Sequence, residues 1–303
     1  VQIPVSVSGR PGEYVCQVSA VLGEDKLWAE KGHETAFGEC VSRLTGAESR
    51  GSRPNPLKVI HGDVNLGVKG ENFSVLFSRA DGGMTSLRYG GKEWITRPPM
   101  PTYWRATTDN DRGNGFSVAS SMWMSADQFW RYHNTQMEVT EEEGKVTVTF
   151  RYGVQVVPAT ETKVAYEVTG DGKIRVKARY FGREGLPGLP LFGMRFRLLS
   201  EADRFTYYGY GPEENYIDRA EGARLGIFAG TPMGNLSRYL VPQECGNRTE
   251  CRWLWVEDQE GHKLIFRAEE TGTGSVRKRF HSSVLPYTAE ELEMARHWDE
   301  LSS

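Results

Sequence analysis

The chain has 303 residues, of which 38% are hydrophobic and 25% are charged, and its formal net charge is −3. It contains no apolar run near the roughly 20 residues that span a bilayer, and no basic block or stripe that would neutralise a phosphate backbone. The composition therefore argues against membrane and nucleic-acid partners, and the length fits one large all-β unit with a smaller piece beside it.

The first 50 residues predict two or three strands, around 14–22 and 34–44. Because so few strands cannot close a sheet core of their own, we expect them to be the closing part of a sandwich that begins elsewhere. Residues 45–56 are polar and rich in Gly, Ser and Pro, which is typical of an exposed connection between domains. We therefore place a domain boundary near residue 50 and interpret Val1 as an internal position of a longer polypeptide.

Apolar and polar residues alternate with period two through most of the remaining chain, which predicts half-buried antiparallel strands. The clearest runs are 146–152, 174–180 and 194–198. Gly and Asp residues between such runs, at 81–83 and 170–172, predict hairpin turns, and residues 257–261 predict a hairpin with a longer loop.

Helix signals are few. Thr288 and Glu291 have the spacing of a capping box, and apolar residues continue at helical spacing as far as Leu301. A second, shorter helix is predicted at 125–132. The fold class predicted from these patterns is all-β and antiparallel, with few short helices.

Three loops, at 104–113, 209–216 and 242–253, are unusually dense in polar and aromatic residues. They have two interpretations: a recognition surface, or turns in which amides and ion pairs satisfy buried backbone. The Asp109-Asn110-Asp111 run resembles the start of a calcium loop, but the later ligands of such a loop do not follow. Glu213 and Glu214 are adjacent, so on a strand they point to opposite faces and do not form an acid/base pair by themselves.

Metal and nucleophile chemistry has little support in the sequence. The six histidines lack ligand spacing, no Ser lies in a nucleophile elbow, and the four cysteines form no CxxC pair, so reduced thiols are expected. Cys245 and Cys251 have the spacing to meet across a tight loop. The tyrosines and tryptophans are either core residues or platforms for a sugar face.

These loops resemble the C-terminal part of glycoside hydrolase family 2 β-galactosidases. Residues 105–113 are similar to the family's Arg-x-x-x-Asp-Asn-Asp-x-Gly segment, and residues 209–219 to its Gly-x-Gly-Pro-x-Glu-Asn-Tyr-x-Asp-Arg segment. Residues 242–249 resemble Pro-Gln-Glu-Asn-Gly-Asn-Arg-Thr, except that Cys245 replaces Asn, and residues 280–301 resemble the family's final helix entry. Residues 33–44 and Trp28 resemble the end of the preceding immunoglobulin-like domain.

The resemblance implies an all-β architecture: a large antiparallel β-supersandwich of the galactose-mutarotase type at 51–303, truncated at its end, preceded by a partial immunoglobulin-like sandwich at 1–50. It also implies roles for particular residues. Those expected near the substrate are Gly90, Gly91, Trp104, Arg105, Asp109, Asn110 and Asp111, with Gly90 to Thr102 forming a mobile loop at the mouth of the active site. Those expected to be structural signatures are Gly211, Glu213, Glu214, Asn215, Tyr216, Asp218, Arg219, Gln243, Glu244, Asn247, Arg248 and Trp253.

For function, the resemblance implies a fragment of a retaining β-galactosidase that acts on terminal β-D-galactosides in lactose catabolism. Both catalytic glutamates, and the Mg and Na that the family often uses, belong to an upstream barrel, so no cofactor, no metal and no catalysis are expected here. The expected partners are that barrel, β-galactosides and further copies of the parent, in the bacterial cytoplasm. Two alternatives remain open: a stand-alone carbohydrate-binding module and a sugar epimerase on the same fold.

Overall fold

The computed structural model describes residues 9–44, 55–129, 135–268 and 279–301. Within these ranges the chain is built mainly from strands, with four short α-helices and two 3₁₀ turns at Met233–Asn235 and Trp298–Glu300. The strands are β1 (Gly12–Val21), β2 (Glu34–Leu44), β3 (Lys58–His61), β4 (Asn65–Lys69), β5 (Phe73–Ser78), β6 (Gly83–Tyr89), β7 (Lys92–Glu93), β8 (Ile95–Thr102), β9 (Thr135–Glu142), β10 (Lys145–Val154), β11 (Thr160–Thr169), β12 (Ile174–Phe181), β13 (Gly193–Leu198), β14 (Arg204–Gly211), β15 (Arg224–Gly230), β16 (Asn247–Cys251), β17 (Trp253–Glu257), β18 (Lys263–Arg267) and β19 (Phe280–Ser283). The helices are α1 (Asp109–Gly113), α2 (Phe116–Ala119), α3 (Ser121–Gln128) and α4 (Ala289–Met294).

Three sheets form the body of the protein. Their strand orders are β3-β4-β5-β6-β7, β12-β11-β10-β9 and β15-β14-β17-β18, and two smaller pairs, β13-β8 and β16-β19, complete the arrangement. Each strand pairing in the described chain is antiparallel. The all-β antiparallel class predicted from the alternation is confirmed, and the sheets are consistent with the sandwich that the resemblance implies.

One hydrophobic core joins the three sheets. Phe77 on β5 and Phe150 on β10 are fully buried, and the Tyr166 ring on β11 lies 5.5 Å from Phe77 and 6.2 Å from Phe150 between ring centroids. Tyr207 and Leu254 bring the β14-β17 sheet into the same core. The inward-facing residues of β10 are those that the period-two pattern predicts, because adjacent strand residues point to opposite faces.

The N-terminal strands form a separate hairpin, β1-β2, paired from Gly12 opposite Leu44 to Val21 opposite Glu34. Its side chains are mostly half-buried or exposed. The hairpin contacts the β15-β14-β17 sheet through ion pairs: Glu34 with Arg224 on β15, and Glu13 with Arg252 immediately before β17. The predicted connection at 45–56 lies almost wholly outside the described residues, so the boundary near residue 50 stays a prediction.

The helix predictions are confirmed in part. The capping box of α4 is present, with the Glu291 N–H donated to the Thr288 hydroxyl at 3.2 Å and the Thr288 N–H donated to Glu291 Oε2 at 2.7 Å. The expectation that this helix continues towards Leu301 is wrong, because Ala295 has an extended backbone and α4 ends at Met294. The helix predicted at 125–132 begins earlier, at Ser121, and residues 130–134 lie outside the described part. No helix in the described ranges is both long and apolar enough to cross a bilayer.

Candidate functional site

The loop that leads into α1 is organised around the carboxylate of Asp111. Arg105 forms an ion pair with it, with Nη2 donating to Oδ1 at 3.0 Å, and the Thr108 N–H donates to Oδ2 at 2.9 Å. Thr108 and Asp111 together form a capping box at the start of α1. Burial opposes ionisation of Asp111, but Arg105 and the Thr108 donors outweigh it and lower its pKa. Asp111 therefore serves as a helix cap with a bound guanidinium, which favours the structural interpretation of this loop over a calcium site.

Asp109 and Gln243 connect this loop to the segment 242–249. The Asp109 N–H donates to Gln243 Oε1 at 3.1 Å, and Gln243 Nε2 donates to Asp109 Oδ2 at 3.0 Å. Arg112 adds a bond from Nη2 to the Pro242 carbonyl at 3.3 Å. Asn110 is exposed beside them. Because both groups of the Gln243 amide are used, its orientation is fixed and the two loops are held in register.

The segment 209–219 joins the same cluster through Glu214. Its Oε2 accepts the Gly246 N–H at 2.7 Å, and its Oε1 accepts from Arg219 and from the Tyr239 hydroxyl. Burial opposes ionisation, but these donors outweigh it and lower the pKa of Glu214. Glu213, by contrast, is exposed. Glu214 is thus an ionised carboxylate that ties two loops together, and it is poorly suited to a general acid.

Two buried asparagines complete the crossing of these loops. Asn215 Nδ2 donates to the Tyr210 carbonyl at 2.9 Å, and its Oδ1 accepts the Thr249 N–H at 2.9 Å. Asn247 Nδ2 donates to the Asn215 carbonyl at 2.7 Å. Arg248 Nε donates to the Tyr207 hydroxyl at 2.8 Å. These bonds satisfy backbone groups that irregular buried loops would otherwise leave unpaired.

Gly246 lies at the centre of the segment 242–249 with φ +73°, a conformation that favours glycine. A Cβ at this position would come within 2.7 Å of Asn235 Nδ2 and 2.8 Å of Leu285 Cδ2. Its neighbour Cys245, where the resembling family has Asn, is fully buried as a free thiol, and burial raises its pKa to about 11.

Glu244 differs from the other carboxylates of this cluster. It is half-buried, and among the described residues no Lys, Arg or His forms an ion pair with it. Burial raises the pKa of Glu244 to about 7. The neighbouring charge of Glu214 acts in the same direction, while Arg105 and the Tyr216 hydroxyl act in the opposite one. The hydrogen bonds that Arg105 donates to a carboxylate go to Asp111, so Arg105 acts on Glu244 through its charge.

The remaining residues expected near the substrate, Gly90, Gly91 and Trp104, lie outside the cluster formed by the three loops. Gly90 and Gly91, with φ +58° and +84°, form the tight turn between β6 and β7. The expectation of a mobile loop from Gly90 to Thr102 is wrong, since β7 and β8 occupy this segment and β8 pairs with β13. Buried Trp94 and Ile95 hold it in the core. Trp104 is also buried, in a small second core with Tyr103 and Trp123, so its ring is not presented to a ligand in this chain.

Trp253 belongs to an aromatic row on the outer face of the β14-β17-β18 sheet. Its ring is stacked on Trp255, with centroids 4.5 Å apart and planes 1° from parallel, and Tyr208 lies 6.1 Å away on β14. Lys263 Nζ lies 4.6 Å from the Trp255 centroid. A sugar platform needs a free ring face, and the stacking of Trp253 on Trp255 covers one face of each indole.

The described chain offers one group with metal-ligand character, Asp258, Glu260 and His262, at the β17-β18 turn. The Lys92 ammonium already forms an ion pair with the Asp258 carboxylate. The Glu260 and His262 N–H groups donate to Asp258 Oδ1, each at 2.9 Å. A turn closed in this way fits neither Mg nor Na, the ions of the resembling family, so no step is assigned to a metal here.

Sequence reasoning missed three residues that hold the cluster together. Glu293 on α4 accepts from the Thr107 N–H at 2.6 Å and the Thr107 hydroxyl at 2.7 Å. Asn235 Nδ2 donates to the Gly246 carbonyl at 2.9 Å, and Tyr239 contacts both Glu214 and Arg219. The polar side of the predicted C-terminal helix was a signal for Glu293, whereas no local pattern marks Asn235 or Tyr239.

The chain is similar to known β-galactosidases over most of its length. The chain is 44% identical over 293 residues to a β-galactosidase of Halalkalibacterium halodurans, covering 96% of this chain and 28% of that protein. It is 46% identical over 231 residues to a β-galactosidase of Clostridium acetobutylicum, covering 76% of this chain and 26% of that protein. The chain therefore spans little more than a quarter of the length of these relatives.

The chain is also similar to a separate small subunit of a β-galactosidase. A β-galactosidase small subunit of Latilactobacillus sakei is 42% identical over 266 residues, covering 81% of this chain and 83% of that protein. The family model described as "Beta galactosidase small chain" matches residues 69–303. The chain belongs to the β-galactosidase small-chain family.

Proposed function

We propose that this chain is the non-catalytic sandwich component of a β-galactosidase whose complete form hydrolyses terminal β-D-galactosides. The observation that carries the proposal is how two of the signature carboxylates, Asp111 and Glu214, are bound. Asp111 caps a helix and binds Arg105, and Glu214 binds Arg219 and the Gly246 N–H. Asp111 and Glu214 are therefore both committed to holding loops, and carboxylates bound in this way are not available as nucleophile or general acid.

The finer assignment follows the resemblance to glycoside hydrolase family 2. Residues 1–50 are the end of an immunoglobulin-like domain, residues 51–303 are the final supersandwich, and a catalytic barrel is carried by a larger polypeptide. Two kinds of relative support this: long β-galactosidases of which the chain spans about a quarter, and a protein named as a small subunit. The polypeptide that carries the catalytic barrel is either fused to this chain or made as a separate subunit.

In the complete enzyme two glutamates of the barrel act as nucleophile and acid/base in retaining hydrolysis, with Mg and Na bound there. The sandwich supplies one wall of the active-site mouth and part of the oligomer contacts. Its working place is the bacterial cytoplasm, in lactose breakdown. The interlocked loops at 105–113, 209–219 and 242–249 are suited to this role because their crossed hydrogen bonds make a rigid surface.

The test is to assay the purified chain with a chromogenic β-galactoside and with anomerically pure galactose, alone and after adding the larger polypeptide. We expect neither hydrolysis nor anomerisation alone, and hydrolysis after addition. Turnover by the chain alone that survives stringent purification and is abolished by Glu214→Gln would overturn the proposal. Anomerisation would instead favour an epimerase on the same fold. The His61–Glu141 pair, a histidine and a carboxylate in contact, is exposed on both sides.

A further inference from the structure

The outer face of the β15-β14-β17-β18 sheet carries two neighbouring rows of side chains that the strand register brings side by side. Across the four strands, the two rows are Ile227-Tyr208-Trp253-Arg267 and Ala229-Thr206-Trp255-Ile265. The residues that alternate with them along each strand belong to the hydrophobic core, so these eight side chains point away from it. We refer to these eight residues as the outer sheet face.

The outer sheet face is apolar where a soluble surface would be polar. Ile227 lies at one edge and is 65% exposed, and Ile265 lies at the other edge and is 47% exposed. Between them Trp253 and Trp255 are stacked and half-buried, and Arg267 is the only charged residue of the eight. Single exposed apolar residues are normal, but a contiguous patch with aromatic residues at its centre is typical of a protein interface.

This face is continuous with the contact that the β1-β2 hairpin makes with the same sheet. Glu13 Oε1 accepts from the Tyr208 hydroxyl at 2.7 Å and from Arg252 Nε at 2.8 Å. The Arg252 guanidinium lies 5.2 Å from the centroid of the Tyr208 ring, and that centroid lies 6.1 Å from the centroid of Trp253. Glu13 is the second residue of β1, so the polypeptide enters the hairpin beside the outer sheet face.

The hairpin is a part of the chain that the long β-galactosidases share and that the small-chain family model does not include. That model matches residues 69–303, whereas the similarity to the long relative from Halalkalibacterium halodurans covers 96% of the chain. Under the proposed function, the hairpin is the point where the larger polypeptide meets the sandwich. A surface that adjoins the hairpin is therefore placed to meet the same polypeptide.

We infer that the outer sheet face is a docking surface for the larger β-galactosidase polypeptide, which covers Trp253, Trp255 and Ile265 with apolar side chains. This inference rests on the proposed function and names the surface that carries it out. Continuity with the hairpin contact selects the occupant, because the polypeptide that enters β1 is held at Tyr208. The stacked indoles are rigid, so little conformational entropy is lost when a partner covers them.

The first experiment introduces Ile265→Glu into the complete enzyme and measures the rate at which β-galactosidase activity is lost in moderate urea. We expect that rate to rise about tenfold or more, because the substitution buries an unpaired carboxylate at the interface and speeds dissociation. In the isolated chain Ile265 is exposed, so the urea midpoint should stay close to that of the wild type. The matched control is Ile60→Glu, since Ile60 is also a strand residue, on β3, and is 51% exposed. It should leave both quantities unchanged.

A second experiment reads the surface directly and does not depend on how strongly the two parts are held together. Ile265→Cys and Ile60→Cys are each treated with a maleimide, and labelling is followed by peptide mapping. We expect both positions to react in the isolated chain, because both are exposed there. In the complete enzyme we expect labelling of Ile265→Cys to slow about tenfold or more, since a covered residue reacts only when the interface opens. Labelling of Ile60→Cys should be unchanged.

Equal labelling of Ile265→Cys and Ile60→Cys in the complete enzyme would overturn the docking surface while leaving the proposed function intact. Labelling of Ile265→Cys that slows in the isolated chain as its concentration rises would also overturn it, since a second copy would then cover the face. Hydrolysis of a β-galactoside by the wild-type chain alone would instead contradict the proposed function. The three failures are therefore distinguishable.

Discussion

The carboxylate of Glu39 accepts the backbone N–H of Leu225, with both of its oxygens 3.1 Å from that nitrogen. Gln17, directly opposite Glu39 on the β1-β2 hairpin, donates Nε2 to the Leu225 carbonyl at 3.2 Å. Because β15 is the last strand of its sheet, these side chains occupy positions that a further strand would take. Edge strands with unpaired backbone recruit other chains, so the hairpin protects this edge.

Glu39→Ala should therefore loosen the edge of the sheet. We expect amide hydrogen exchange at Leu225 to become about fivefold faster, the equivalent of about 1 kcal/mol for the lost hydrogen bonds. Mass spectrometry of the peptide that contains β15 measures this. Glu30→Ala, an exposed carboxylate on the β1-β2 connection, is the control. Equal exchange in the wild type and in Glu39→Ala would show that the hairpin is not needed at this edge.

Gly246→Ala should destabilise the chain for two reasons, a strained backbone and a clash with Asn235 and Leu285. Gly222→Ala separates them, because Gly222 also has positive φ, +89°, but has open space around it. We expect Gly246→Ala to lower the free energy of unfolding by about 3 kcal/mol and Gly222→Ala by about 1 kcal/mol. Urea titration followed by circular dichroism measures both. Equal losses would mean that backbone strain alone accounts for the glycine.

The thiols should differ in reactivity. Cys40 is exposed, while Cys245 and Cys251 are buried, and burial raises the pKa of both buried thiols. Cys16 and Cys40 are direct partners across the β1-β2 hairpin, where Cα atoms lie about 5 Å apart, within the range of a disulfide. We expect diamide to link Cys16 to Cys40 in the folded chain, as peptide mapping would show, with Cys40→Ser as the control. A Cys245–Cys251 link in folded protein would contradict the structure.

Galactose should leave the fluorescence of the aromatic row unchanged. Trp253 and Trp255 each cover one face of the other, and Tyr208 and Lys263 contact the two ends of the row, so its rings already have partners within the chain. The measurement is a titration of tryptophan emission with galactose, using glucose as the control sugar. A saturable, galactose-specific change that disappears in Trp255→Ala would support the carbohydrate-binding alternative.

The features that were predictable from the sequence are those that depend on residues close together in the chain. The Thr288–Glu291 capping box, the hairpin turn at Gly172 and the buried face of β10 need only neighbouring residues, and all were predictable. The contact between Thr107 and Glu293 joins residues 186 positions apart, and the strand at 95–102 forms because β13 pairs with it. Such long-range pairings depend on topology, which period and propensity in one sequence do not encode.

The stability of the isolated chain should depend on pH through Glu244. Burial raises the pKa of this side chain from 4.5 to about 7, so the folded chain binds its proton more tightly than the unfolded chain. The contribution of Glu244 therefore favours folding most below pH 4.5 and is lost as pH rises through 7. Between these limits we expect a loss of about 2 kcal/mol, less than the full shift implies because the side chain is only half-buried.

Urea midpoints of the isolated chain at pH 5 and pH 7.5 measure this loss. Glu244→Gln should flatten the dependence, whereas Glu213→Gln should leave it as in the wild type because Glu213 is exposed. An identical pH profile in Glu244→Gln and the wild type would mean that this carboxyl is already compensated within the chain.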